Sequence, residues 1–182
     1  MLMAALVAGC TPAPQQEAVT LVRRLGGRAT AGGQSNIARI DLAHTAVTDD
    51  DLARLAALGG GTNGPLGRLE ELDLTHTGIT DRGIESLAGF PAVRKLSLTL
   101  TQVTDAGLAP LSALEHLTEL YLIETRLTEA AVEPLSRLRQ LQTLVLLRTG
   151  VSDAGIARLR RALPRTRIQI EPAAARSVRR AP

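Results

Sequence analysis

The chain has 182 residues, of which 45% are hydrophobic but only 1% aromatic, so a core has to be built from aliphatic side chains. The net charge is +3, but residues 158–182 hold eight arginines and one acid, a charge of +7 that leaves −4 for residues 1–157. An acidic body with a basic end argues against a nucleic-acid-binding domain, whose basic surface would extend over the fold.

Residues 1–9 are a short apolar run that leads to Cys10, the only cysteine of the chain. The run is shorter than the ~20 apolar residues of a membrane-spanning helix and is typical of the apolar part of a signal peptide. VAGC at residues 7–10 resembles the lipobox of bacterial lipoproteins, and this resemblance implies cleavage before Cys10 and a lipid on its sulfur. Residues 10–17 would then be a flexible tether. The alternative is a frayed apolar N-terminus with an ordinary buried thiol.

EAVTLVRRL at residues 17–25 predicts a helix that leads through Gly26 and Gly27 into the following segment. That segment is a repeat array, and the first coil of such an array needs cover for its core. We therefore expect residues 18–36 to form an N-terminal cap.

From residue 37 to residue 163 the chain repeats one pattern five times. The pattern is L-x-x-L-x-L-x-x-T-x-[IV]-T-D-x-G-[IL]-x-x-L, and its copies open at Ile37, Leu69, Val93, Leu117 and Leu141. The last four copies are 24 residues apart, whereas the insert GGGTNGPL separates the first two by 32 residues. Repetition at a fixed period predicts a solenoid in which each copy forms one coil.

Each part of the pattern predicts one piece of local structure. L-x-L alternates inward and outward and indicates a short strand. A threonine follows at one fixed position, and we expect its hydroxyl to hydrogen-bond backbone groups of the neighbouring coil as a ladder. The members of this ladder are Thr45, Thr77, Thr101, Thr125 and Thr149. A hydroxyl residue trailed by Asp or Glu predicts a helix N-cap, at Thr48, Thr80, Thr104, Thr128 and Ser152.

The repeated pattern resembles the leucine-rich repeat family, in particular bacterial variants that carry T-x-[IV]-T-D-x-G-L after the strand. The resemblance covers about residues 37–163. It implies an α/β fold, a right-handed solenoid or horseshoe with a parallel β-sheet on the concave face and helices on the convex face. RIQI predicts one last capping strand within residues 164–171, and residues 172–182 are predicted to be a disordered basic tail.

The sequence contains no nucleophile elbow, phosphate-binding glycine loop or zinc-ligand spacing, which predicts a protein without catalytic activity or cofactor. His44 and His76 share one repeat position, with Asp41 and Asp73 nearby in their coils. Adjacent coils are ~4.8 Å apart, so these side chains could cluster as a metal site. We favour the simpler interpretation that they are exposed positions shared by two related copies.

The face of the sheet that points away from the core is the surface left for binding. Strand alternation assigns it three columns with one residue per coil: Arg39, Glu71, Lys95, Glu119 and Thr143; Asp41, Asp73, Ser97, Tyr121 and Val145; Ala43, Thr75, Thr99, Ile123 and Leu147. Apolar side chains from the last two coils predict a contiguous exposed patch, which is typical of an interaction site. The predicted binding residues are this patch and its polar neighbours: Tyr121, Ile123, Val145, Leu147, Glu119, Lys95, Glu71 and Asp73. The alternatives are that the terminal strand or the tail covers the patch, or that the patch is merely tolerated.

These features predict a non-enzymatic protein of the bacterial cell envelope, held to a membrane by a lipid on Cys10. Its concave face would bind a protein or peptide, as a monomer or weak homo-oligomer without nucleic acid. Four alternatives stay open: a cytoplasmic adaptor or substrate-recognition subunit, a self-assembling structural protein, an enzyme with metal at His44 and His76, and nucleic-acid binding through the arginine tail.

Overall fold

The computed structural model describes residues 13–32, 36–59 and 64–171. The helices are α1 (Ala13–Arg24), α2 (Asp49–Gly59), α3 (Asp81–Glu85), α4 (Val132–Ser136) and α5 (Asp153–Ala162). The strands are β1 (Arg28–Ala31), β2 (Ile37–Asp41), β3 (Glu71–Asp73), β4 (Lys95–Ser97), β5 (Glu119–Tyr121), β6 (Thr143–Leu146) and β7 (Arg167–Ile170). The predicted signal peptide, Cys10 and the predicted tail over 172–182 lie outside the described residues.

The seven strands form one sheet in the order β1 to β7. From β2 to β7 neighbouring strands are parallel and pair by repeat position, so that Leu72 is opposite Leu96 and Leu96 is opposite Leu120. This arrangement confirms the predicted solenoid with a parallel sheet. β1 differs, because it pairs with β2 in the antiparallel direction. It precedes the repeats, so their pattern does not predict it.

The core lies between the sheet and the convex side and consists of aliphatic rows. In the second coil Leu72, Leu74, Ile79, Ile84 and Leu87 are all at most 2% exposed. Complete burial of one such side chain contributes about 2 kcal/mol to folding, and the rows continue from coil to coil. The composition predicted an aliphatic core. Among the described residues, Phe90 is the only aromatic side chain in the core.

The convex side is less helical than predicted. Within the described repeats only α2 and α5 have ten or more residues. The middle coils combine short α-helices with 3₁₀ helices at Ser86–Gly89, Asp105–Ala113 and Glu129–Ala131. Pro110 lies inside the longest of these 3₁₀ helices, where an α-helix would lose a backbone hydrogen bond. None of the helices in the described ranges has the length and apolar composition to cross a membrane.

The N-terminal cap begins earlier than predicted, because α1 starts at Ala13 and includes residues assigned to a tether. Pro14 lies in the first turn of α1, where its missing N–H has no helical partner to lose. Ala18 and Val22 are fully buried against the first coils. Gly26, with φ of 84°, ends the helix in the left-handed conformation that glycine adopts most easily.

A ladder of acidic side chains joins consecutive coils on the convex side. The acid that follows each N-cap accepts from the N-cap residue of the next coil: Asp49 from the Thr80 N–H at 2.8 Å and its hydroxyl at 2.6 Å, and Asp81 from the same groups of Thr104 at 2.7 and 2.6 Å. Asp105 repeats this at Thr128. Glu129 accepts from the Ser152 N–H at 3.0 Å, and this bond is the main reason that the pKa of Glu129 is lowered.

The N-cap residues form hydrogen bonds both within their own coil and to the preceding coil. The Thr80, Thr104, Thr128 and Ser152 hydroxyls accept from N–H groups of their own coil at 3.1–3.3 Å while their own N–H groups are bound by the preceding coil. The glycine of T-D-x-G makes room for the acid, since a Cβ on Gly107 would lie 2.3 Å from Asp81 Oδ1. The pattern T-D-x-G is therefore a contact between coils as much as a helix cap.

The first repeat has no preceding repeat to supply an acid, and it carries Asp51 in place of the glycine. Asp51 Oδ2 accepts from the Thr48 N–H at 3.2 Å and from the Thr48 hydroxyl at 2.8 Å. The Thr48 hydroxyl in turn accepts from the Asp51 N–H at 3.4 Å, a reciprocal capping box. In the first coil, Asp51 therefore accepts the two hydrogen bonds that an acid of the preceding coil accepts in the later coils.

The prediction that the threonine row bonds the neighbouring coil is wrong. Thr45, Thr77, Thr101 and Thr125 each donate to the carbonyl three residues earlier in their own coil, at 2.6–3.2 Å. The residue before each threonine has a positive φ. This left-handed backbone makes a tight turn that brings the threonine hydroxyl close to the carbonyl three residues earlier. The hydroxyl of Thr149 is buried without any hydrogen-bond partner among the described residues.

Candidate functional site

The concave face of the sheet presents the three predicted columns of side chains. In β3, β4 and β5 the central residue is buried and both flanking residues are half-buried, because successive side chains alternate between core and solvent. The structure therefore brings the predicted polar residues Glu71, Asp73, Lys95 and Glu119 together on one surface.

The surface of β2 to β4 is polar and slightly hollow. A depression of about 160 Å³ is lined by charged and hydroxyl side chains: Arg39, Asp41, Glu71, Asp73, Lys95 and Ser97, with Ile40 and Leu72. Arg39 Nη2 is 2.7 Å from Glu71 Oε1, so this cation and this anion neutralise each other. The other two carboxylates of the depression, Asp41 and Asp73, face each other in register on β2 and β3.

Each of these aspartates is held by its own backbone. Asp41 Oδ1 accepts from the Ala43 N–H at 3.0 Å, and Asp73 Oδ1 accepts from the Thr75 N–H at 2.9 Å. These bonds fix the carboxylates at the ends of β2 and β3 and leave the second oxygen of each to other contacts. Neither carboxylate takes part in an ion pair within the described residues.

Tyr121 is the centre of a second group of side chains. Its hydroxyl donates to Glu119 Oε2 at 2.9 Å, and Lys95 Nζ lies 5.6 Å from the centre of its ring, a cation–π distance. Burial, followed by the bond to Glu119, raises the pKa of Tyr121. These contacts hold the only tyrosine of the chain in one orientation.

A row of hydroxyl groups lies between the acidic and apolar parts of the concave face. The Thr75 and Ser97 hydroxyl oxygens are 2.8 Å apart, and the Ser97 hydroxyl donates to the Thr99 oxygen at 3.3 Å. Hydroxyl groups can both donate and accept hydrogen bonds, so this row presents donors and acceptors on the concave face.

The apolar patch is smaller than predicted. Ile123, Leu147 and Tyr121 are half-buried, but Val145 is only 3% exposed and is not a member of the core cluster. The expectation that Val145 is exposed is wrong, because it lies between its register partners Tyr121 on β5 and Gln169 on β7. β7 therefore covers one side of the apolar patch, at Val145, and leaves Ile123 and Leu147 partly exposed.

One edge of the concave face consists of residues with left-handed backbones, a feature that sequence reasoning missed. His44, His76, Leu100, Glu124 and Arg148 have φ between 53° and 59°, although none is Gly or Asn, the residues that tolerate this region best. The only signal in the sequence is their shared place before the repeated threonine. Leu100 is 41% exposed, while Arg148 is ion-paired with Glu124 and lies 3.4 Å from Glu171, contacts that raise its pKa.

The histidines that suggested a metal site are members of this edge. The rings of His44 and His76 are 5.1 Å apart at an angle of 32°, an offset ring contact. Asp41 and Asp73 belong to a different column and are bound to backbone amides. Within residues 13–32, 36–59 and 64–171, no three His, Cys, Asp or Glu side chains are grouped so that they could hold a metal ion.

Comparisons with known proteins identify the class of the fold. Residues 69–88 match the family model described as leucine-rich repeat. The chain is 12% identical to the ectodomain of the receptor kinase SOBIR1 from Arabidopsis thaliana, with a TM-score of 0.50 and coverage of 88% of this chain and 92% of that one. Internalin C2 from Listeria monocytogenes is 22% identical, with a TM-score of 0.41 over 90% of this chain and 87% of that one. The fold is a leucine-rich-repeat solenoid.

The chain is also 19% identical to a chain in the crystal structure of PEPR1–AtPEP1, with a TM-score of 0.48. The match covers 78% of this chain but only 19% of that one, so this chain spans about a fifth of its length. No curated protein is significantly similar to this chain in sequence.

Proposed function

We propose that this chain is a non-enzymatic binding module that takes a protein or peptide on its concave face. The single observation that carries the proposal is Tyr121, which is half-buried and fixed by Glu119 and Lys95 beside accessible Ile123 and Leu147. An aromatic side chain with a polar tip next to aliphatic neighbours is typical of an interface hot spot.

The preformed sheet supports this proposal. Its strands are held in register by the parallel backbone ladder and by the acid ladder on the opposite side, so little of the surface has to become ordered on binding. The leucine-rich-repeat class to which the fold conforms is generally one of protein-interaction modules. The same fold could serve a self-assembling structural protein or a cytoplasmic adaptor, and we place hetero-binding first because the accessible apolar residues are few and lie in one place.

The test is selection of a random dodecapeptide display library on the immobilised full chain. Peptides enriched on the unmodified chain should be lost on the double variant Ile123→Asp, Leu147→Asp, which places two charges on the apolar patch. The matched control is Ala109→Asp, Ala130→Asp, which adds the same charges at exposed convex positions and should retain binding. Enrichment that survives the concave variant, or no enrichment at all, would contradict the proposal.

The location of the module is a second part of the proposal. We propose that the protein is an envelope lipoprotein anchored through Cys10, on the strength of the resemblance of residues 7–10 to a lipobox. Intact-mass spectrometry of protein from the native membrane fraction would test it. Loss of residues 1–9 with added diacylglycerol and acyl chains is the expected result, whereas an unmodified mass in the soluble fraction would favour the cytoplasmic adaptor.

A further inference from the structure

We infer that the ligand of the concave face is an extended peptide that carries a cationic side chain about four residues away from an aliphatic one. This inference rests on the proposed function and adds the chemistry and the spacing of the ligand. Its basis is the uneven distribution of charge and apolar surface along β2 to β6.

The acidic end of the face has two carboxylates, Asp41 and Asp73, that form no ion pair within the described residues. The first two columns hold two cations, Arg39 and Lys95, and four carboxylates over β2 to β5, so the net charge there is −2. Arg28, the register partner of Asp41 on β1, reduces the excess to −1. Arg39 is paired with Glu71, and Lys95 lies over the ring of Tyr121. Asp41 and Asp73 lie side by side in the depression, and within the described residues their hydrogen-bond partners are backbone N–H groups.

Two like charges one strand spacing apart, ~4.8 Å, repel each other and attract a cation placed between them. An ammonium or guanidinium group can donate to the second oxygen of both carboxylates at once, because each has several N–H donors. The depression of about 160 Å³ over these strands leaves room for such a group. An acidic peptide or a nucleic-acid backbone would instead meet a surface with more carboxylates than cations.

The apolar end lies three strands further along the sheet. Ile123 follows β5 and Leu147 follows β6, at the repeat position of Thr75 and Thr99. The distance from the aspartates of β2 and β3 to these residues is three strand spacings, or ~14 Å. An extended peptide advances ~3.4 Å per residue, so a peptide that crosses the strands would place its cationic and aliphatic side chains about four residues apart.

The hydroxyl row completes the path between the two ends. Thr75, Ser97 and Thr99 lie between the aspartates and the apolar residues, and they are linked to one another at 2.8 and 3.3 Å. Each hydroxyl can rotate to donate to a peptide carbonyl or accept from a peptide N–H. The middle of the ligand would therefore be recognised through its backbone, and any residue type would be tolerated there.

The peptides enriched in the library provide the test. We expect Lys or Arg three to five residues from Leu, Ile or Val, in either chain direction. The variant Asp41→Asn, Asp73→Asn keeps the bonds from the backbone N–H groups but removes both charges, and it should weaken the best peptide about tenfold or more, as loss of charge-assisted hydrogen bonds does. The same peptide should also lose affinity as salt is added.

The matched control is Glu85→Gln, Glu115→Gln, which removes two charges from exposed positions away from the concave strands and should change affinity less than twofold. Peptides that depend on Ile123 and Leu147 but lack a cation, and bind the asparagine variant equally well, would overturn the inference and leave the proposed function intact. Peptides that depend on neither the aspartates nor the apolar pair would overturn both.

Discussion

Asp81 in the second coil accepts two hydrogen bonds from Thr104 in the third, one from the backbone N–H at 2.7 Å and one from the hydroxyl at 2.6 Å. The same pair of bonds joins Asp49 to Thr80 and Asp105 to Thr128. Because a solenoid coil contacts only its neighbours, these bonds belong to the interfaces on which the cooperativity of the array depends.

Replacing Asp81 by alanine should therefore lower the free energy of unfolding by about 2 kcal/mol, since it removes two charge-assisted bonds and leaves the half-buried N–H of Thr104 unpaired. Urea denaturation followed by circular dichroism would measure the change. The control is Asp50→Ala, which removes only an exposed ion pair with Arg82 and should cost less than about 1 kcal/mol. Equal losses in the two variants would show that the inter-coil bonds contribute little.

The threonine row supplies a matched pair of substitutions. Thr101 donates to the Leu98 carbonyl at 2.7 Å, and Thr101→Val should lower the free energy of unfolding by about 1 kcal/mol through loss of this buried bond. Thr149 has the same repeat position, but its buried hydroxyl has no hydrogen-bond partner in the part of the chain that the structure describes. Thr149→Val should therefore leave stability unchanged or raise it. The same denaturation experiment compares them, and a larger loss at Thr149 than at Thr101 would refute this account of the row.

The repeat pattern predicted more of the fold than of the site. The leucine rows, the short strands and the coil period follow from the spacing of apolar residues, because each apolar position has the same neighbours in every coil. β1 could not be predicted this way, since Arg28–Ala31 lies outside the repeats and its burial pattern has no clear alternation. The boundary of α1 was also missed, because Pro14 suggested a tether although proline is well tolerated in a first helical turn.

The contacts of polar residues were harder to predict than their positions. The sequence shows that the acid and the threonine recur, but a hydroxyl or carboxylate can bond its own coil or the next, and only the coil geometry decides between them. The left-handed edge was missed because Leu100, Glu124 and Arg148, which hold the same position as His44 and His76, are not residue types that signal a positive φ. Val145 is buried between Tyr121 on β5 and Gln169 on β7. The pattern of one coil does not show how side chains of neighbouring coils pack on each other.

The pKa of Tyr121 gives a pH-dependent prediction. Because burial and Glu119 raise this pKa, the folded protein holds the phenol proton above the pH at which the unfolded chain releases it. The resulting stability is fully present below pH ~10, the ordinary tyrosine pKa, and is lost as the pH rises through the folded pKa. The phenolate absorbance of this single tyrosine should titrate above its ordinary midpoint in the folded protein, and Glu119→Gln should move the midpoint back down. A midpoint that does not depend on Glu119 would contradict the described contact.

The left-handed edge predicts that Leu100 is a strained residue. Its φ is 56° and its side chain is 41% exposed, so the backbone strain, about 1 kcal/mol, is offset by little burial. Leu100→Asn should raise the free energy of unfolding by about 0.5–1 kcal/mol, because asparagine tolerates this region without the entropic cost of glycine. Leu100→Ile, which has the same atoms but branches at Cβ, should lower it by about 1 kcal/mol. Thermal and urea denaturation of the two variants would decide the matter, since an isoleucine variant as stable as the unmodified chain would mean that the turn at Leu100 carries no strain.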